Sequence, residues 1–142
     1  MKKFGQTNSK PKTIIGIDYS LTSPAICVAK DDKLNFYYLT SKKKYDGKMA
    51  ENIEGQLHDE FDNPMHRFGL ISDWVFYVLY DLHEGDYEIY IEGYSFGSKG
   101  QGVFQIAENC GILKYRLEQE ALSWSTVVPS VVKKDQFKKF KL

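Results

Sequence analysis

Two carboxylates each close an apolar run in this sequence. Asp18 follows Thr13-Ile14-Ile15-Gly16-Ile17, and Glu92 follows Tyr90-Ile91. An acid at the end of a buried strand costs free energy unless a cation or hydrogen bonds compensate it. If the two strands are neighbours and run parallel, both acids meet at one edge of a sheet, where a divalent metal could sit. Two plainer roles stay open: Asp18 as a turn acid accepting amides near Ser20 or Thr22, and Glu92 as one half of a salt bridge.

The surrounding elements decide whether the acids meet. Ile14, Ile15 and Ile17 are β-branched and suit a strand covered on both faces. Residues 25–29 and 34–39 read as the second and third strands, and their tight spacing predicts a meander. Residues 40–63 are long and polar, with a short helix expected near 49–57. Asn63-Pro64 then starts a helix, with Asn as N-cap and Pro in the first turn. Phe68, Ile71, Val75, Val78, Leu79 and Leu82 recur at helical spacing along one face. Leu70, Trp74 and Tyr77 form a second apolar stripe. Residues 87–92 read as the fourth strand, and 93–102 as a loop rich in glycine. A second helix is expected over about 103–122, and a fifth strand over 126–129. The order β-β-β-α-β-α-β predicts a mixed five-stranded α/β sheet flanked by helices. The right-handed crossover rule places the fourth strand parallel to the first, so Asp18 and Glu92 share an edge.

Composition narrows the class. A chain of 142 residues with 42% hydrophobic content is one globular domain, residues 13–142, preceded by a flexible arm over 1–12. Basic and acidic residues number 19 each, so any surface for a polyanion must be local. Lys42-Lys43-Lys44 is one basic cluster; Lys133 and Lys134 open another. No apolar run approaches the roughly 18 residues of a membrane span, and a cytoplasmic location is expected. Cys27 and Cys110 have no metal-type spacing and read as buried thiols. His58, His66 and His83 have no ligand spacing either, and surface positions are expected for all three.

Taken together, the 14–20 segment, the Tyr90-Ile91-Glu92 strand end, the loop after it and the Glu108-Asn109-Cys110-Gly111 helix resemble the RuvC-type Holliday-junction resolvases of bacteria and phages. The resemblance spans residues 13 to about 134. It implies an RNase H-like fold and a metal-dependent, structure-specific endonuclease that hydrolyses phosphodiesters of branched DNA in recombination and repair. It implies Asp18 and Glu92 as catalytic and metal-binding residues, and two Mg²⁺ or Mn²⁺ ions per complete site. Two ions roughly 4 Å apart activate a water and stabilise the leaving oxygen. The family carries two more acids close together on a final helix, whereas the only acid here after Glu120 is Asp135. On that reading the nuclease domain is C-terminally incomplete, and a non-catalytic junction-binding module is the alternative.

The DNA-binding residues expected are Tyr94 and Phe96, as rings that could wedge at an open junction, with Lys99, Lys42, Lys43, Lys44, Lys133 and Lys134 on phosphates. The resemblance also implies a homodimer, since a four-way junction is cut on two strands symmetrically. Leu70, Trp74 and Tyr77, a stripe left over by the first helix face, are its expected interface; the alternative is that the 40–63 segment folds over the stripe and buries it within one subunit. A third class is weaker. Gly16-Ile17-Asp18-Tyr19-Ser20-Leu21-Thr22 also resembles the first phosphate loop of the actin and sugar-kinase superfamily, which needs two such domains.

Overall fold

A computed structural model describes residues 13–82, 86–93 and 100–128. Strand β1 (Thr13–Asp18) alternates strictly: Thr13, Ile15 and Ile17 are buried, while Ile14 and Asp18 are exposed. It pairs antiparallel with β2 (Ala25–Lys30), which pairs antiparallel with β3 (Lys33–Thr40). Asp31 and Asp32 make the tight β2–β3 turn, both at positive φ (52° and 63°). Two successive left-handed residues are what a two-residue hairpin needs to match strand twist, and Asp tolerates them better than most.

The stretch after β3 departs from expectation. A short 3₁₀ turn (Lys43–Tyr45) leads into β4 (Gly47–Ala50) and β5 (Ile53–Leu57), so the helix expected near 49–57 is a strand pair. β5 lies parallel to β3, and β4 antiparallel to β5. Gly55 allows the close approach. A Cβ there would run into the Tyr38 ring and the Tyr45 carbonyl, and the Tyr38 hydroxyl donates to that carbonyl at 2.8 Å. The strand pair covers an edge that β3 would otherwise present to solvent.

Helix α1 (Pro64–Asp81) starts as expected, with Asn63 Oδ1 accepting from the His66 amide at 2.9 Å. The chain returns as β6 (Tyr87–Glu92), parallel to β1. Helix α2 (Gln101–Gln119) and β7 (Trp124–Val127), parallel to β6, complete the described chain. The sheet has seven strands in the order β4-β5-β3-β2-β1-β6-β7, two more than expected. The five expected strands, β1, β2, β3, β6 and β7, keep the predicted order of connections.

Both helices pack on one face of this sheet. Ile15, Ile17, Ile26, Val28, Ile89 and Ile91 from the strands meet Ile71, Val75 and Leu79 of α1 and Leu113 and Leu117 of α2. Arg116 joins the two helices: Nη1 donates to Ser72 Oγ and to Asp73 Oδ1, each at 2.6 Å, and the guanidinium lies 4.6 Å from the Phe76 ring centre. Among the described residues nothing covers the opposite face, where Ile14 (42% exposed), Leu34 (50%) and Phe36 (39%) stand open. The expectation that β1 is covered on both faces is corrected accordingly.

Trp74 corrects the expected dimer patch. It is 4% exposed and belongs to the core. The reason is β5, whose Glu54, Gly55 and Gln56 border a small cavity together with Trp74 and Val78. Leu70 is half-buried, and of the stripe only Tyr77 is well exposed, at 64%.

Candidate functional site

The parallel register of β1 and β6 sets Ile15 beside Ile89 and Ile17 beside Ile91. One residue further, both strands end, in Asp18 and Glu92. Asp18 also stands beside Ala25, and Glu92 beside Val127, so the acids occupy the middle of the edge rather than its ends. Asp18 is exposed and Glu92 half-buried. Ser20 Oγ, not Asp18, accepts the turn amide of Ser23, at 3.1 Å. Among the described residues neither acid has an ion-pair partner.

Two cavities open on this pair. One, about 500 Å³, lies on the bare sheet face between Gly16, Cys27, Phe36, Tyr90 and Val127. The other, about 670 Å³, lies between the β1–β2 turn and the start of α2, bordered by Tyr19 to Thr22, Gly93, Gly102, Val103, Ile106, Ala107 and Cys110. Asp18 and Glu92 line both.

As a donor set the pair suits one hard cation. Mg²⁺ is commonly held by one or two carboxylates plus waters and substrate phosphate. Among the described residues no group of three or more His, Cys, Asp or Glu side chains is arranged to hold a metal, so a second ion would need donors from elsewhere.

Lys42, Lys43 and Lys44 are exposed and follow Thr40 at the end of β3. β3 runs in the same direction as β1, because each is antiparallel to β2. The lysines therefore emerge at the acids' edge, two strand spacings or roughly 10 Å to one side. Lys44 Nζ lies 5.0 Å from the Tyr45 ring centre. Tyr94, Phe96, Lys99, Lys133, Lys134 and Asp135 lie outside the described residues, as do the 1–12 arm and His83. His66 is exposed and its Nδ1 accepts the Asp62 amide at 3.0 Å. His58 is half-buried against Phe61, which corrects the surface position expected for it. Of the two thiols, Cys110 is buried and Cys27 is half-buried on the bare face.

Tyr19 escaped the sequence reading. It follows Asp18 and, by period two, must point with Ile15 and Ile17 towards the helices; that alternation was the available signal. It is 4% exposed, and its hydroxyl has no hydrogen-bond partner. Burial pushes its pKa far up, with Cys110 and Asp73 adding to the rise and Arg116 opposing it. Arg67 was also missed. Its Nη2 donates to the Leu21 carbonyl at 2.8 Å and fixes the turn beside the acids.

A mixed sheet with an antiparallel first hairpin, two parallel strands added through helices, and acids at the ends of β1 and β6 defines an RNase H-like α/β fold. Solved structures agree. Thermus thermophilus RuvC in complex with a Holliday-junction substrate matches with a TM-score of 0.61 at 13% identity, over 87% of this chain and 69% of that one. A second Thermus thermophilus RuvC structure matches with a TM-score of 0.53 at 13% identity, over 82% of this chain and 64% of that one. At that identity the likeness is one of fold. No protein-family model matches the sequence, and no curated protein is similar to it in sequence.

Proposed function

We propose that this protein acts on branched DNA as a metal-dependent, structure-specific endonuclease of the junction-resolving kind. The observation that carries the reading is the meeting of Asp18 and Glu92 at adjacent parallel strand ends, facing open cavities. Asp18 and Glu92 would hold a divalent ion, which when bound supplies charge stabilisation at a phosphodiester and a more acidic water. The chain's own part is positional. The sheet edge fixes the two carboxylates, and Lys42, Lys43 and Lys44 attract backbone phosphates to that edge. Tyr94, Phe96, Lys99, Lys133 and Lys134 are proposed as further DNA contacts. The RuvC solved with a Holliday junction shares this fold, which supports the substrate class.

A junction-binding module without cleavage is the second reading. It is favoured by the donor set among the described residues, where two carboxylates hold one ion and a two-ion reaction needs more. Symmetric action on a four-way junction calls for a two-fold pair of chains. With Trp74 buried, Tyr77 is what the expected patch still offers such a pair, and sedimentation at tens of micromolar reads the association.

The deciding experiment incubates wild type with four-way, flap and duplex DNA in Mg²⁺ or Mn²⁺. Junction cleavage that disappears in Asp18→Asn and Glu92→Gln, with junction binding kept, supports the nuclease. Binding without cleavage in wild type supports the module. Absence of junction preference in both assays rejects both readings.

A further inference from the structure

We propose that the cavity between the β1–β2 turn and α2 takes one unstacked nucleobase from the DNA strand whose phosphate lies at Asp18 and Glu92. The inference rests on the reading of those acids as a phosphodiester site. At about 670 Å³ the cavity falls in the range of small-molecule sites. Its walls are Leu21 on one side and Val103, Ile106 and Ala107 on the other, with buried Tyr19 and Cys110 between them. Apolar walls of this sort suit the faces of a base, which enzymes commonly grip by stacking and apolar contact once it leaves the duplex.

Three details favour a base over a plain hydrocarbon or a free anion. Tyr19 has a buried hydroxyl without a partner, and a buried polar group left so is costly. A base edge carries donors and acceptors for such a group, and an aliphatic ligand carries none. Among the described residues the charged groups bordering the cavity are Asp18 and Glu92, which repel an anion entering alone. A base is neutral, and its own phosphate stays at the rim with the acids. The wall is also preformed: Arg67 holds the Leu21 carbonyl, and Ser20 Oγ holds the Ser23 amide. Unstacking costs a few kcal/mol in a duplex and less where pairing is already broken, as at a branch point. The cavity would thus favour open DNA over intact duplex.

The test is a ¹⁵N–¹H NMR titration of the full chain with each deoxynucleoside 5′-monophosphate in Mg²⁺, with deoxyribose 5-phosphate as the comparison. Expected are saturable shifts at Tyr19, Val103, Ile106 and Cys110, at Kd on the order of 1 mM. Deoxyribose phosphate should move only residues at the rim. Ala107 is exposed at the cavity wall, so Ala107→Phe fills the space without disturbing the core, and it should weaken the nucleotide shifts at least tenfold. Ala107→Leu should give an intermediate loss. No nucleotide shifts at these residues, equal shifts from deoxyribose phosphate, or full shifts in Ala107→Phe would each overturn the assignment. Junction assays on wild type keep the two ideas apart. Nucleotide shifts without junction binding overturn the nuclease reading alone, and junction cleavage without nucleotide shifts overturns the cavity alone.

Discussion

If Asp18 and Glu92 share a cation, Mg²⁺ must stabilise the native chain, because the unfolded chain does not hold the two carboxylates together. Two carboxylates with water completing the shell imply a Kd on the order of 1 mM, the weak end of carboxylate sites. At 10 mM Mg²⁺ the stabilisation RT ln(1 + [L]/Kd) is then about 1.4 kcal/mol. For a chain of this length that raises Tm by roughly 5 °C. Asp18→Asn takes away one of the two charges. A tenfold weaker Kd leaves about 0.4 kcal/mol, or under roughly 2 °C. Glu92→Gln should behave alike, whereas Glu51→Gln, exposed in the β4–β5 turn, should keep the whole shift. Thermal melts of the four proteins, with EDTA or with 10 mM Mg²⁺, read the difference. Equal shifts in wild type and Asp18→Asn, or loss of the shift in Glu51→Gln, would refute a metal centre at this edge.

Further outcomes follow from the same geometry. Unfolded tyrosine ionises near pH 10, while folded Tyr19 keeps its proton well beyond that. Its contribution is therefore fully present below pH 10 and is lost as pH rises above it, by about 1.4 kcal/mol per pH unit. Urea melts of Tyr19→Phe between pH 9 and 11 should show a shallower alkaline loss than wild type, and an unchanged slope would contradict the burial of its hydroxyl. Arg116→Met should cost about 2–4 kcal/mol, from a charged hydrogen bond to buried Ser72 and the contact with Phe76, whereas Asp73→Ala, on a side chain 64% exposed, should cost less than about 1 kcal/mol. Denaturant midpoints check both, and equal losses would mean that the exposed ion pair carries the clamp. Replacing Lys42, Lys43 and Lys44 by Ala should weaken binding to every DNA and lower the salt slope by up to about one unit per lost phosphate contact; unchanged affinity and slope would make the cluster a solvated surface.

What could be read from the sequence follows how local each signal is. The acids at the ends of β1 and β6 were legible because an apolar run closing on a carboxylate is written in adjacent residues, and the crossover rule supplies the rest. The start of α1 was legible too, since Asn63 and Pro64 act within one turn. The β4–β5 pair was not. All four residues of β4 are exposed and β5 buries only Gly55, so neither strand carries an apolar period of its own. β5 pairs with the β3 edge and β4 with β5, in each case through backbone hydrogen bonds that any side chains allow. Misplacing Trp74 is the same error seen from the helix. A helix on a five-stranded sheet needs one apolar stripe, and a second stripe then looks like an interface for another molecule. Two added strands widen the surface beneath α1, and Trp74 of the second stripe becomes core. Whether an apolar stripe faces inward thus depends on how wide the sheet is, and here that width was set by the segment with the weakest local signal.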